Sequence, residues 1–235
     1  MSEQNFNESL SEELERAFSC RIEELTLFEN TIFLATTNED DLGKCRKMLI
    51  VMVYAYFEGF CKDALTIYID YINRLQVMTK DVTNGIAASS IEADYALLLN
   101  SNHKPEPLRG KLLDQDGILH QFARRKEFWG KYSQLLNKKV ELSDKLIDAE
   151  SNLKSDVLKK LLYKLDLDYT KVDDFQSELN HLIGIRNSVA HGNLTRGILK
   201  DTYDNYKTTA THLMKEIKEL ITSSYVNRIF LIQSL

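Results

Sequence analysis

Residues 183–193 read IGIRNSVAHGN, and three of their side chains have the right types to act together. Arg186 offers a planar fork of N–H donors that fits two phosphate oxygens at once. His191 is of the type that moves protons near neutral pH, and Asn187 donates and accepts beside them. On a helix Arg186 and Ala190 lie one turn apart, so His191 at the frayed end can swing its ring back toward Arg186. A guanidinium and an imidazole reaching one point suit cleavage of a phosphodiester. A bare Arg-to-His spacing arises easily by chance in a chain with ten Arg and five His. The longer string Arg-Asn-x-x-Ala-His-Gly, closing an amphipathic helix before a last long helix, is rarer. A plainer reading stays open at this point: Arg186 makes a surface ion pair and His191 caps helix carbonyls.

A second polar residue needs explaining. The segment MLIVMVYAYFEGF, residues 48–60, is apolar all round except for Glu58. A helix of that kind belongs at the centre of a fold, and a buried carboxylate is costly unless paired. Lys62, one turn later, is a partner at the right spacing.

Helices must position these residues. Glycine (9) and proline (2) are too scarce for an all-β fold, which needs turn residues every ~8–12 positions. The first helix starts near Ser9, where Ser9 and Glu12 form a capping box. Leu10, Leu14, Ala17, Ile22, Leu25, Phe28 and Ile32 make its apolar stripe. The second runs from Asp40 to Leu75. Later helices span about 151–164, 172–190 and 197–232, with Gly192 as a left-handed cap behind the motif. At least six helices and no sheet are expected, with those carrying Tyr54 and Ile183 packed together.

The chain reads as one helical domain over 1–235, with residues 79–150 as an inserted or peripheral segment. That segment holds amphipathic pieces at 86–99, 118–136 and 140–149, set off by turn-rich stretches at 81–85 and 100–117. Its piece HQFARRKEFWGKY can offer rings and cations to RNA. The favoured reading docks Phe122, Phe128 and Trp129 into the core. Lys104 to Lys145 holds ten Lys/Arg against six Asp/Glu, while the whole chain carries −5. That net charge gives no global attraction to a polyanion.

Cys20, Cys45 and Cys61 show no CxxC or zinc-like spacing and read as buried free thiols of a reducing cytoplasm. The N-terminus is acidic and polar, unlike a signal peptide. The longest apolar run, residues 48–57, is half a bilayer span. A cytoplasmic protein without a membrane segment is the expectation.

RNSVAHG resembles the R-x4-6-H motif of the HEPN superfamily, and VYAYFEGFCKDAL, residues 53–65, is similar to the second-helix signature of HEPN branches in bacterial defence and toxin systems. The resemblance covers residues 10–75 and 150–230. It implies an all-α HEPN-like bundle and a metal-independent endoribonuclease in which the RNA's own 2′-hydroxyl attacks phosphorus. By that pattern Arg186 steadies charge on the phosphoryl oxygens and His191 is general acid or base. Glu58 orients one of them, while Asn187 and Lys62 support the site. No cofactor is implied. RNA, a second copy in a homodimer, and an antitoxin or defence-system protein are the implied partners. Some members of the superfamily act only as binding or assembly modules, and a helical scaffold outside it is a third possibility.

Overall fold

The structure, a computed structural model, describes residues 3–110 and 115–232, and for residues 3–9 the backbone alone. Its described residues form eight α-helices and no strand. They are α1 (Glu3–Ala35), α2 (Glu39–Arg74), α3 (Asn84–Ser90), α4 (Glu92–Leu99), α5 (Gly117–Leu136), α6 (Ser155–Lys164), α7 (Gln176–Ala190) and α8 (Lys200–Val226). Short 3-10 turns join several of them, and two isolated bridges pair Met78 with Lys139 and Val82 with Leu231.

The central helix is α2. Asn38 caps it, its side-chain oxygen accepting from the backbone of Asp40 at 3.0 Å and Asp41 at 3.2 Å. Glu39, Asp40 and Asp41 sit at the positive end of its dipole. Tyr54, Phe57, Phe60, Tyr68 and Tyr71 are all fully buried along it. Burying a phenylalanine is worth about 2–3 kcal/mol, so this one helix holds a large share of the core. It packs against α1, α7 and α8, which places the helices of Tyr54 and Ile183 together as the sequence suggests.

Several boundaries differ. Helix α1 begins at Glu3, upstream of the Ser9–Glu12 pair, and the Ser9 side chain lies outside the described residues. Phe28 is exposed, and the buried position beside it belongs to Glu29. Tyr203 and Lys207 of α8 both donate to that carboxylate, Lys207 at 2.6 Å. A carboxylate with two such partners can take a core position that an apolar count assigns to its neighbour. The last helix is shorter than expected, and the helix before it starts at Gln176, behind a 3-10 turn at residues 169–175.

Residues 79–150 depart most. The piece at 86–99 is two helices jointed at Ile91. Residues 140–149 form no α-helix. Asn73 at the end of α2 takes over the backbone of Leu142, accepting from its N–H at 2.8 Å and donating to its carbonyl at 2.9 Å. Val140, Leu142, Leu146 and Ala149 are still buried, from an extended chain with one 3-10 turn. Helix α5 packs mainly on α4 and the turn at 79–81, and it does not dock its aromatics in the core. Phe122 and Trp129 are exposed, and only Phe128 is half-buried, edge-on to Tyr95.

The cysteines are free, but Cys61 alone is fully buried, and burial pushes its thiol well up. Cys20 is exposed and Cys45 half-buried, so the reading of three buried thiols does not hold. Among the described residues no helix is long and apolar enough to cross a membrane.

Candidate active site

The site lies where α7 crosses α2, and Arg186 is its best-held member. Its guanidinium carbon sits 4.9 Å from the centre of the Tyr54 ring, a cation–π contact. Its Nη1 donates to Asn187 Oδ1 and to Asn152 Oδ1, each at 2.9 Å. Nε and Nη2 make no hydrogen bond to another described residue, so two nitrogens of the fork, with three N–H donors, are left for a ligand. Arg186 and Asn187 are both half-buried.

Tyr54 joins the two helices to the segment before α6. Its hydroxyl accepts from the backbone N–H of Leu153 at 2.8 Å and faces the Glu58 carboxylate. Burial first, and the Glu58 charge second, push that hydroxyl far above the ordinary tyrosine value, so it stays a neutral donor.

Glu58 is one-fifth exposed, and its direct ion partner is Lys62, at 2.6 Å. Burial pulls the carboxyl upward. The hydrogen bond from Lys62 and the facing Tyr54 hydroxyl, with the charges of Lys62 and Arg186, outweigh it and leave the group below the usual carboxylate range. Glu58 is therefore ionised at neutral pH. It faces Arg186 electrostatically, with no direct ion pair between them and no hydrogen bond or ion pair to His191.

His191 ends α7. Gly192 follows with φ +71°, donating to the Val189 carbonyl at 3.0 Å while Asn193 donates to that of Ser188 at 2.8 Å. This pair of bonds is the Schellman closure. It fixes the backbone of His191 and leaves the imidazole exposed, with no hydrogen bond to another described residue. Beyond it the loop is tied to α2. Lys47 donates to the carbonyls of Leu194 and Thr195, and Ile198 N–H donates to Gly43 at 2.9 Å.

Thus Arg186 and Asn187 form one hydrogen-bonded group and Glu58 and Lys62 another, with Tyr54 between them. His191 stands five residues from Arg186 and makes no hydrogen bond or ion pair with either group. Two positioning residues escaped the sequence reading. Tyr54 passed for a core aromatic, although its place one turn before Glu58 put it on the same face. Asn152 carries no local signal, because only the fold brings it to Arg186.

The arrangement can bind an anion at Arg186 and move a proton at His191. Comparison with known proteins sets that in context. No curated protein and no solved structure matches the chain. One protein family, described as RiboL-PSP-HEPN, matches it over residues 16–223, a span that includes residues 79–150. The chain belongs to the RiboL-PSP-HEPN family, and with it to the HEPN superfamily of nuclease-type and RNA-related helical modules.

Proposed function

We propose that this protein is a metal-independent endoribonuclease. One observation carries the reading: Arg186 is clamped by Tyr54, Asn152 and Asn187 with two nitrogens of its fork to spare, and the backbone of His191, the proton-transfer residue, is fixed at the end of the same helix. In the reaction the 2′-oxygen of RNA attacks the adjacent phosphorus and the bond to the 5′-oxygen breaks. The free Arg186 donors bind the phosphoryl oxygens, where charge builds up in the transition state. His191 takes the proton from the 2′-hydroxyl or delivers one to the departing 5′-oxygen. Asn187 holds Arg186, and Glu58, kept ionised by Lys62 and Tyr54, sets the field around it.

Purified protein incubated with total RNA in EDTA tests this. New ends carrying a 2′,3′-cyclic phosphate are expected. Intact RNA would move a second reading to first place, that of a non-catalytic RNA-binding or assembly module. What favours that reading is that no side chain among the described residues hydrogen-bonds the His191 ring, together with the −5 net charge. A toxin or anti-phage role in the cytoplasm, restrained by an antitoxin or another defence protein, is part of the same proposal. So is a symmetric homodimer bringing two copies of His191 to one groove. Light scattering should give the dimer mass at micromolar concentration; a monomer that still cleaves would remove the dimer from the account.

A further inference from the structure

Helix α5 turns polar groups inward and rings outward. Its inward face carries His120, Arg124 and Glu127 beside Leu135 and the half-buried Phe128, and both His120 and Arg124 are buried. Arg124 is held there by the carbonyls of Leu98 and His103, each 3.2 Å away. Its outward face carries Ile118, Phe122, Arg125, Trp129 and Tyr132, at steps of four, three, four and three. That spacing is one continuous stripe along a helix. Ile118 is 82% exposed, Trp129 71% and Phe122 62%. A helix that buries an arginine and exposes a tryptophan loses free energy on both faces. Such a stripe marks a surface with a ligand.

The side chains along the stripe say which ligand. Trp129 and Tyr132 are stacked, with ring centres 5.0 Å apart and planes 8° from parallel, which leaves a flat outer face of the kind that accepts a base. Arg125 and Lys126 are exposed between the rings and make no ion pair with a described residue. The helix carries four Lys/Arg to one Asp/Glu, in a chain whose net charge is −5. Arg124 is buried on the inward face and Lys131 is paired with Glu127, so Arg125 and Lys126 are the two cations left exposed near the rings. Rings interleaved with cations suit single-stranded nucleic acid, which lays phosphates on the cations and bases on the rings. A hydrophobic protein partner would gain nothing from Arg125 in mid-stripe and Lys126 at its flank.

We infer that the outward face of α5 is a binding track for single-stranded RNA, separate from the Arg186 site. The inference rests on the RNA reading above and adds the surface that holds the strand. It also answers the charge objection to that reading, since the attraction is local.

Trp129 is the only tryptophan in the chain, so its fluorescence reports on this face alone. The full-length protein is titrated with a 2′-O-methyl oligoribonucleotide of about twelve nucleotides, within the span such surfaces cover. This probe has no free 2′-hydroxyl and cannot be cleaved by 2′-attack, so binding is read apart from catalysis. Saturable quenching of Trp129 is expected, with the same midpoint as the anisotropy of a labelled probe. By anisotropy, Trp129→Phe should bind as the wild type does, and Trp129→Ala should bind about tenfold to a hundredfold more weakly. Arg125→Glu with Lys126→Glu should lower the slope of log affinity against log salt by about 1.4. Neither change should alter the rate on a dinucleotide, which needs only the Arg186 site. Binding without quenching, quenching that follows protein concentration with no RNA present, or no binding at all would each overturn the inference. Quenching with no cleavage of any RNA would instead keep the track and remove the nuclease.

Discussion

Replacing Glu58 by Gln separates a structural role from a chemical one. The side chain stays the same size and keeps an oxygen facing Tyr54. What it loses is the charge facing Lys62 and Arg186. The Glu58–Lys62 pair is one helical turn apart, with Lys62 41% and Glu58 20% exposed. Exposed pairs of that kind contribute about 0.3–0.5 kcal/mol, and partial burial raises this to about 1 kcal/mol at most. In a domain of this size that is a fall in melting temperature of about 1–4 °C. If the charge also sets the field at Arg186, cleavage falls at least about tenfold, the factor given by 1.4 kcal/mol of lost transition-state stabilisation. The pH dependence has a definite sign. The folded carboxyl titrates below its ordinary value of 4.5, so its contribution to stability is present above about that pH and is lost as pH falls through the lower folded value. Urea midpoints of wild type and Glu58→Gln should differ at neutral pH and converge in acid. Cleavage that matches wild type per folded molecule, or a melting point lowered by far more than 4 °C, would refute the positioning role.

Arg186→Lys should lower cleavage by about two orders of magnitude or more with the fold retained, measured as the initial rate on a defined RNA. An ammonium cannot hold both amide oxygens and still present a free fork. Gly197→Ala should destabilise the loop behind His191, because a Cβ there would lie 2.9 Å from the backbone of Gly43. A melting point lower than wild type, with His191 backbone amides exchanging faster, is the expected result.

How much was legible follows from the physics of each element. Helix α2 could be read because an unbroken apolar run has one placement, the centre. The Arg186–His191 segment was legible because its spacing, its Gly192 stop and its residue types agree at one short stretch. Residues 140–149 were misread because their backbone is captured by Asn73, a contact between positions far apart in sequence. Phe28 and Trp129 were misread for a related reason. Apolar spacing shows that a helix has a face and does not show which face the fold buries. Glu29 takes Phe28's place because α8 brings Tyr203 and Lys207 to it, and α5 turns its polar side inward because Leu98 and His103 offer carbonyls to Arg124.

The central claim is that Arg186 and His191 together cleave RNA, and His191→Ala tests it most directly. The ring is exposed and bonded to no other described side chain, so its removal leaves the core and the Schellman closure in place. The measurement is the initial rate of RNA cleavage in EDTA by His191→Ala and wild type, at matched circular dichroism. The account predicts a fall of about a hundredfold or more, the usual weight of a general acid or base. A variant that cleaves at the wild-type rate would contradict it.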